Sequence, residues 1–376
     1  MVTFAELEPP HEEELLVFWV GMVVLVATAR GLGALARRIG QPAVVGELSA
    51  GLILGPSVLG KVAPDWFDWL FPEDPVQTAM IFTVGWLGVV CLLIVTGEET
   101  DLGLIRKLGR AAGVVSTGSL VVPMAAGLVL GLAMPDVFVG DSDDTTVFAL
   151  FMAAALSISS LPVIAKILTD MGFMRRNFGQ LTLAAGMAND VIGWIVLGVV
   201  AGLAQAGAVE IGPLVSTLAG LAVFFAVAFT LGQRLLDGAL GRIRHSGAPP
   251  STGTGVVLLA ALICGAITQW LGVEAVLGAF VAGVLLGRSR LRDHRIIEPI
   301  ESITASLLAP VFFATAGLQV DLGLLADSET LIWALAVLAV ASLSKFVGSF
   351  VAARIAGLEN REGAALGIGL NARGAL

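Results

Sequence analysis

Val44-Val45-Gly46-Glu47-Leu48-Ser49-Ala50-Gly51-Leu52-Ile53-Leu54-Gly55-Pro56-Ser57 returns later in the chain as Val276-Leu277-Gly278-Ala279-Phe280-Val281-Ala282-Gly283-Val284-Leu285-Leu286-Gly287-Arg288-Ser289. Seven of the fourteen positions are identical, three glycines and an alanine among them. Apolar composition inflates chance matches, but a second match follows in the next apolar run of each copy. There Gly97-Glu98-Glu99-Thr100-Asp101-Leu102-Gly103-Leu104 aligns with Gly317-Leu318-Gln319-Val320-Asp321-Leu322-Gly323-Leu324. Close packing of small-residue helix faces explains the glycines. It does not explain two matches in the same order.

Around these matches lie apolar runs at roughly 15–35, 43–59, 77–96, 113–134, 146–168, 180–204, 213–234, 254–271, 273–287, 302–318, 330–353 and 363–376. Each is long enough, or nearly so, to cross the hydrocarbon core as a helix. The 376 residues are 57% hydrophobic and only 14% charged, with a mean hydropathy of +0.93. A soluble domain needs about 25% charged residues, so an all-α polytopic membrane protein is expected. The first run follows acidic residues and is too long for a signal peptide's apolar core, so it is read as a true span. Matching runs are seven apart, an odd number, so the two copies cross in opposite directions. Inverted repeats of this kind build secondary transporters, with the substrate site near the midplane between the copies. Repeat one covers about 15–204, a linker helix about 213–234, and repeat two about 254–376, all in one membrane domain over 1–376. The last run stops at Leu376 without a polar tail, as in a fragment, and the repeat places a thirteenth span beyond it.

Basic residues orient the spans. Counting alternate loops gathers Arg30, Arg37, Arg38, Arg106, Lys107, Arg110, Lys166, Arg175, Arg176, Arg234, Arg242, Arg244, Arg288, Arg290, Arg292, Arg295, Arg354 and Arg361 on one side, which is 18 of the 21 Lys and Arg. The other side holds Lys61 and the acids Glu6, Glu8, Glu12, Glu13, Glu14, Asp65, Asp68, Glu73, Asp74, Asp136, Asp141, Asp143 and Asp144. The positive-inside rule therefore puts the N-terminus outside the cell membrane. The net charge of −9 records this sorting. No basic tail or surface suggests nucleic acid. Cys91 and Cys264 lie in apolar runs and read as small hydrophobes. His11, His245 and His294 fall in predicted loops without a second ligand at helical spacing, so neither a cofactor nor a resident metal is expected.

Few strongly polar groups remain at membrane depth, where each is costly unless paired or hydrated. Asn189-Asp190 sits about 14 Å into its span at 1.5 Å per residue, close to the midplane. A carboxylate there can hold either a proton or a desolvated alkali cation, and Asn189 can add a carbonyl ligand without a charge. Ser157-Ile158-Ser159-Ser160-Leu161-Pro162 predicts a broken helix. Pro162 lacks a backbone donor, while Ser159 and Ser160 offer oxygen ligands for the transient cation. The corresponding span of repeat two carries Gly367-Ile368-Gly369-Leu370-Asn371-Ala372-Arg373-Gly374, a second predicted break. Lys345 is too deep to snorkel. It is expected to neutralise the oxygen-lined helix ends or to pair with Asp190. Arg373 needs a partner, either Glu47 or an acid beyond Leu376. Glu47 itself reads as a helix-positioning residue.

Together Gln41-Pro42-Ala43-Val44-Val45-Gly46-Glu47, Leu54-Gly55-Pro56-Ser57-Val58-Leu59-Gly60, Ser160-Leu161-Pro162-Val163, Asn189-Asp190, Pro310-Val311-Phe312-Phe313-Ala314, Lys345 and Asn371-Ala372-Arg373-Gly374 resemble the cation:proton antiporter-2 family. This is the Kef-type branch of the sodium/proton exchanger superfamily, and the resemblance covers essentially the whole chain. It implies a thirteen-helix fold with about twelve helices present here, a dimerisation scaffold, and a core containing two crossed broken helices. It also implies a homodimer with an elevator-like movement. Residue by residue, it makes Asp190 the ion-carrying aspartate, Ser159 and Ser160 the break of the first crossed helix, and Lys345 the core lysine. The chain departs from the family's pattern at the acidic Gly97-Glu98-Glu99-Thr100. Asn189 also stands where electrogenic relatives carry a first aspartate.

The expected function is antiport of Na+ or K+ against H+, with one ion on Asp190 at a time. A single membrane carboxylate carries the same net charge with a proton or a monovalent cation, so 1:1 electroneutral exchange is expected. An ion channel or regulated K+ efflux pathway would need a filter of repeated carbonyls, and none is found. An intramembrane aspartyl enzyme would need a second catalytic carboxylate facing the first, so the chain is not read as an enzyme.

Overall fold

The structure is a computed structural model that describes residues 11–139, 144–206 and 211–373. Glu6, Glu8, Asp141, Asp143, Gly374 and the chain end at Leu376, all used in the sequence reading, lie outside these residues. The helices run α1 (Glu12–Arg38), α2 (Ala43–Leu54), the short α3 (Leu59–Val62) and α4 (Pro64–Leu70), α5 (Pro75–Glu98), α6 (Leu102–Lys107) and α7 (Gly109–Ala133). They continue as α8 (Thr145–Ser157), α9 (Leu161–Asp170), α10 (Asn177–Ala206), α11 (Ile211–Val227), α12 (Gln233–Ser246) and α13 (Pro250–Trp270). The last are α14 (Ala275–Arg288), α15 (His294–Ile303), α16 (Ala309–Leu318), α17 (Ser328–Ile355) and α18 (Asn360–Gly369). No strand occurs among the described residues.

Ten helical stretches of the described chain are long and apolar enough to cross a membrane, and α14 is a shorter apolar helix. Among the described residues each apolar run coincides with helix over most of its length, with breaks at 158–160 and after Gly369. Large apolar side chains stay exposed along them, as at Trp19, Val23, Leu259, Leu335 and Leu338. Lipid is the solvent that makes such exposure favourable.

Helix ends differ from expectation where a helix outlasts its apolar run. The run at 213–234 continues through a π-helical turn, Ala228–Gly232, into α12. There Leu236 and Leu240 are buried one turn apart while Arg242 and Arg244 face out, so one face still packs where the other meets water. His245 and His294 therefore sit on helices rather than in loops, and His11 is the N-cap of α1. Lys166 also moves from its predicted loop. It is buried in α9 and paired with Asp170 at 3.0 Å.

The chain divides into two compact units, Met1–Leu92 with Glu301–Ala326, and Leu93–Ile300 with Asp327–Leu376. In the first, α1, α2 and α16 pack around Leu25, Ala29, Val311 and Ala314. A methyl group on Gly46 would lie 2.2 Å from the Leu32 carbonyl of α1, and one on Gly51 would lie 2.0 Å from the Ala314 carbonyl of α16. In the second unit the matched glycines make matched contacts. A methyl group on Gly278 would lie 2.3 Å from the Cys264 backbone of the preceding α13, and one on Gly283 would lie 2.1 Å from the Ile94 carbonyl of α5. Gly317 and Gly97 repeat the pattern from the other side, against Leu48 and Phe280. The identities that link the two halves of the sequence are thus the points where backbones touch.

Candidate functional site

The site lies in the second unit, where two helices are interrupted. α8 ends at Ser157 and α9 begins at Leu161, leaving Ile158, Ser159 and Ser160 extended. The break precedes Pro162, which occupies the first turn of α9. There its missing N–H costs nothing, and its ring disfavours helix in the residue before it. The second break follows α18, over Leu370, Asn371, Ala372 and Arg373. The two breaks join directly. Ser159 Oγ donates to the Leu370 carbonyl at 3.0 Å, and the Ser160 backbone N–H donates to the Ala372 carbonyl at 2.9 Å. Backbone and hydroxyl groups of Ser159 and Ser160 thus meet the carbonyls on either side of Asn371, across more than two hundred residues.

Half-helix ends carry electrostatic consequences. The C-terminal turn of α8 exposes carbonyls with no helical donor, and the peptide dipoles add partial negative charge there. Lys345 Nζ, fully buried on α17, donates to the Ser157 carbonyl at 2.5 Å. Arg373 Nη1 donates to the Leu156 carbonyl at 2.8 Å, and its Nη2 donates to the Ala341 carbonyl of α17. Lys345 thus hydrogen-bonds to the helix end and also interacts electrostatically with Asp190. Among the described residues Arg373 takes backbone carbonyls, which the bare end of α8 and α17 supply.

The N-terminal end of α9 is the positive counterpart. Ser160 stands at its N-cap but its hydroxyl caps nothing. The Asp190 carboxylate on α10 lines the same small cavity as Leu161, the first residue of α9, where the helix start favours an anion. Asp190 is part-exposed rather than sealed, and no described basic side chain forms an ion pair with it. It borders a cavity of about 20 Å³, lined also by Leu161, Met187, Trp194, Val273 and Glu274. That volume is room for one water or one bare alkali ion.

Its neighbour Asn189 points elsewhere. The amide is fully buried and hydrogen-bonded between the hydroxyls of Ser116 at 3.0 Å and Ser119 at 2.9 Å, both on α7. The side-chain oxygen of Asn371 is buried without a hydrogen-bond partner among the described residues. Glu47 is buried on α2, in the other unit.

The sequence reading missed one feature and left a second without partners. Glu274 shares the Asp190 cavity although its residue type sits at the start of a run. The signal was the length of that run, because a 14-residue helix covers only about 21 Å and must begin inside the membrane. The second is the acidic end of α5. Glu98, buried, pairs with Arg292, and Arg175 reaches Glu99 at 3.4 Å. Gln180 ties them together, donating to the Glu99 carbonyl at 3.2 Å and accepting from the Asp101 N–H at 2.8 Å. These groups line a cavity of about 540 Å³ at the basic end of α10 and α14, so the unusual acids meet the arginines of the basic face.

Residues 22–376 match the family described as sodium/hydrogen exchanger, transmembrane. The chain belongs to that family, and it is a multi-pass membrane protein. Among known proteins it is 29% identical over 366 residues to the Na(+)/H(+) antiporter NhaS4 of Synechocystis sp., covering 96% of this chain and 87% of that one. It is 30% identical to Cation/H(+) antiporter 20 of Arabidopsis thaliana, covering 94% of this chain and 43% of the plant protein. The chain thus spans most of the cyanobacterial relative and less than half of the plant one. Among solved structures it resembles the sodium proton antiporter MjNhaP1 of Methanocaldococcus jannaschii with a TM-score of 0.66 at 17% identity, over 94% of this chain and 82% of that one. The fold is that of this antiporter.

Proposed function

We propose that the chain exchanges Na+ or K+ for H+ across a cell membrane by alternating access, with Asp190 carrying either ion in turn. The observation that carries this is the state of the Asp190 carboxylate. It borders the start of α9 and a cavity for one small ion, while Lys345 and Arg373 hydrogen-bond to carbonyls at the end of α8. A carboxylate without a fixed counter-ion is open to competition between a proton and an alkali cation. The relatives' printed names, Na(+)/H(+) antiporter and cation/H(+) antiporter, support the same chemistry.

In this proposal one ion rides Asp190 per cycle, so exchange is 1:1 and electroneutral. The basic face is cytoplasmic, the N-terminus is outside, and two copies form a homodimer. Support for the orientation is the gathering of 18 of 21 basic residues at one face.

The test is cation-driven proton movement in proteoliposomes, comparing Na+, K+ and Li+ while recording current. Wild type moves protons without current, and Asp190→Asn moves none. Retained exchange in Asp190→Asn removes Asp190 from the carrier role, and an exchange current removes electroneutrality.

A further inference from the structure

Glu274 stands at the N-cap of α14, where an acidic side chain ordinarily accepts N–H groups of its own helix. It does not do so here. The Ala275 N–H is taken by Gln269 Oε1 at 3.1 Å, and the loop before it is held by Thr268 Oγ1 donating to the Glu274 backbone carbonyl at 3.1 Å. No ion pair or side-chain hydrogen bond of the Glu274 carboxylate occurs among the described residues. Structural duties at this helix start have been given to other groups.

The remaining environment of Glu274 is the cavity it shares with Asp190, whose other walls are apolar. Depth agrees with this placement. Asp190 lies thirteen residues into α10 from its basic end, about 20 Å. Glu274 precedes a 14-residue helix that ends at the same face, about 21 Å away. Gly272, at a φ of 79° that suits glycine, makes the tight turn that starts α14 at this depth. On the far side from the basic face, a wider cleft of about 220 Å³ is lined by Gly198, Gly202, Thr217, Gly272, Val273 and Trp194. It shares Trp194 and Val273 with the small cavity. Glu274 follows Val273, one of the two residues that line both.

We propose that Glu274 is a second binding carboxylate of the exchanger, a transient station for the incoming cation or the departing proton between the outer cleft and Asp190. Only Asp190 crosses with its ion, so the station leaves the 1:1 stoichiometry unchanged. The charged groups around it are Asp190 on α10 and, beyond Asp190, Lys345 on α17 and Arg373 after α18. Both of these basic groups are engaged with carbonyls of the α8 end. A carboxylate in the approach to a site raises local cation concentration and capture rate at that face only.

The inference rests on the proposed antiport, and the experiment separates the two. Cation-driven proton movement is measured in vesicles of known orientation, with the cation varied at one face at a time. Wild-type exchange establishes antiport; its absence overturns the proposed function whatever Glu274 does. Given wild-type exchange, Glu274→Gln raises the half-saturating cation concentration at the outer face by about tenfold. At the cytoplasmic face the half-saturating concentration stays within about twofold of wild type. Glu274→Asp, which keeps the charge on a shorter arm, gives a shift of about threefold at the outer face alone, and it carries the test if the glutamine variant does not accumulate. Unchanged half-saturation at the outer face overturns the proposal. So does an equal shift at both faces, which marks a structural role.

Discussion

Lys345 Nζ donates to the backbone carbonyl of Ser157 at 2.5 Å, joining the middle of α17 to the broken end of α8. Arg373 takes the adjacent carbonyl, Leu156, at 2.8 Å. Two cations, the buried Lys345 and the half-buried Arg373, are therefore assigned to one half-helix end, whose last carbonyls have no helical donor. Their attraction to a helix C-terminus leaves the carboxylate across the crossover without a fixed partner.

Lys345→Met removes the donor and leaves the Ser157 carbonyl buried and unsatisfied, a loss of about 1.5–3 kcal/mol for a hydrogen bond to a charged group. Lys345→Gln, still able to donate, recovers part of this. Thermal unfolding in detergent reads the order wild type, Gln, Met, while exchange per folded molecule persists in the glutamine variant. Because Arg373 serves the neighbouring carbonyl, Lys345→Met and Arg373→Met combine non-additively, with a coupling of about 0.5–3 kcal/mol. Loss of exchange in Lys345→Gln at wild-type stability would show that the lysine takes part in ion binding itself.

The repeat glycines make a second, sharper contrast. A methyl at Gly283 would lie 2.1 Å from the Ile94 carbonyl, and one at Gly317 would lie 2.4 Å from the Leu48 carbonyl. Gly283→Ala and Gly317→Ala must push helices apart, at a cost of about 1–3 kcal/mol each for overpacking. Gly255 on α13 has nothing within 4 Å of the same position, so Gly255→Ala stabilises its helix by about 0.5–1 kcal/mol. Unfolding temperatures of the three variants measure the difference, and equal effects would refute the contact assignment.

These contacts also explain what the sequence could and could not disclose. Gly46, Gly51, Gly278 and Gly283 were legible because backbone contact tolerates one residue type, and repetition doubled the signal. Asp190, Ser159 and Ser160 stood out because polar groups are rare in apolar runs. Partners were not legible. Nothing local ties Asn189 to Ser116 and Ser119, or Arg373 to Leu156, since those pairings depend on how helices distant in sequence pack. Glu274 was hidden by position, because a residue at the edge of an apolar run looks like a loop residue until the shortness of the following helix is measured. Carbonyl acceptors such as those of Ser157 and Leu156 carry no residue signature at all.

Asp327, before the first turn of α17, tests how that helix is held in register for Lys345. Its carboxylate accepts the Thr330 N–H at 2.8 Å and the Thr330 hydroxyl at 2.9 Å. These two bonds, the backbone one first, hold the Asp327 carboxyl below the usual carboxylate range. A value lowered by folding means that the ionised cap contributes stability above the unfolded carboxylate's value, about 3.9. That contribution fades as the pH falls through the lowered folded value. Asp327→Asn keeps an acceptor but does not titrate, so wild type is the more stable at pH 7 and its advantage shrinks as the pH drops below about 4. Unfolding temperatures of both proteins in detergent between pH 7 and pH 3 give the comparison, and a difference that stays constant over that range would rule out the charged cap.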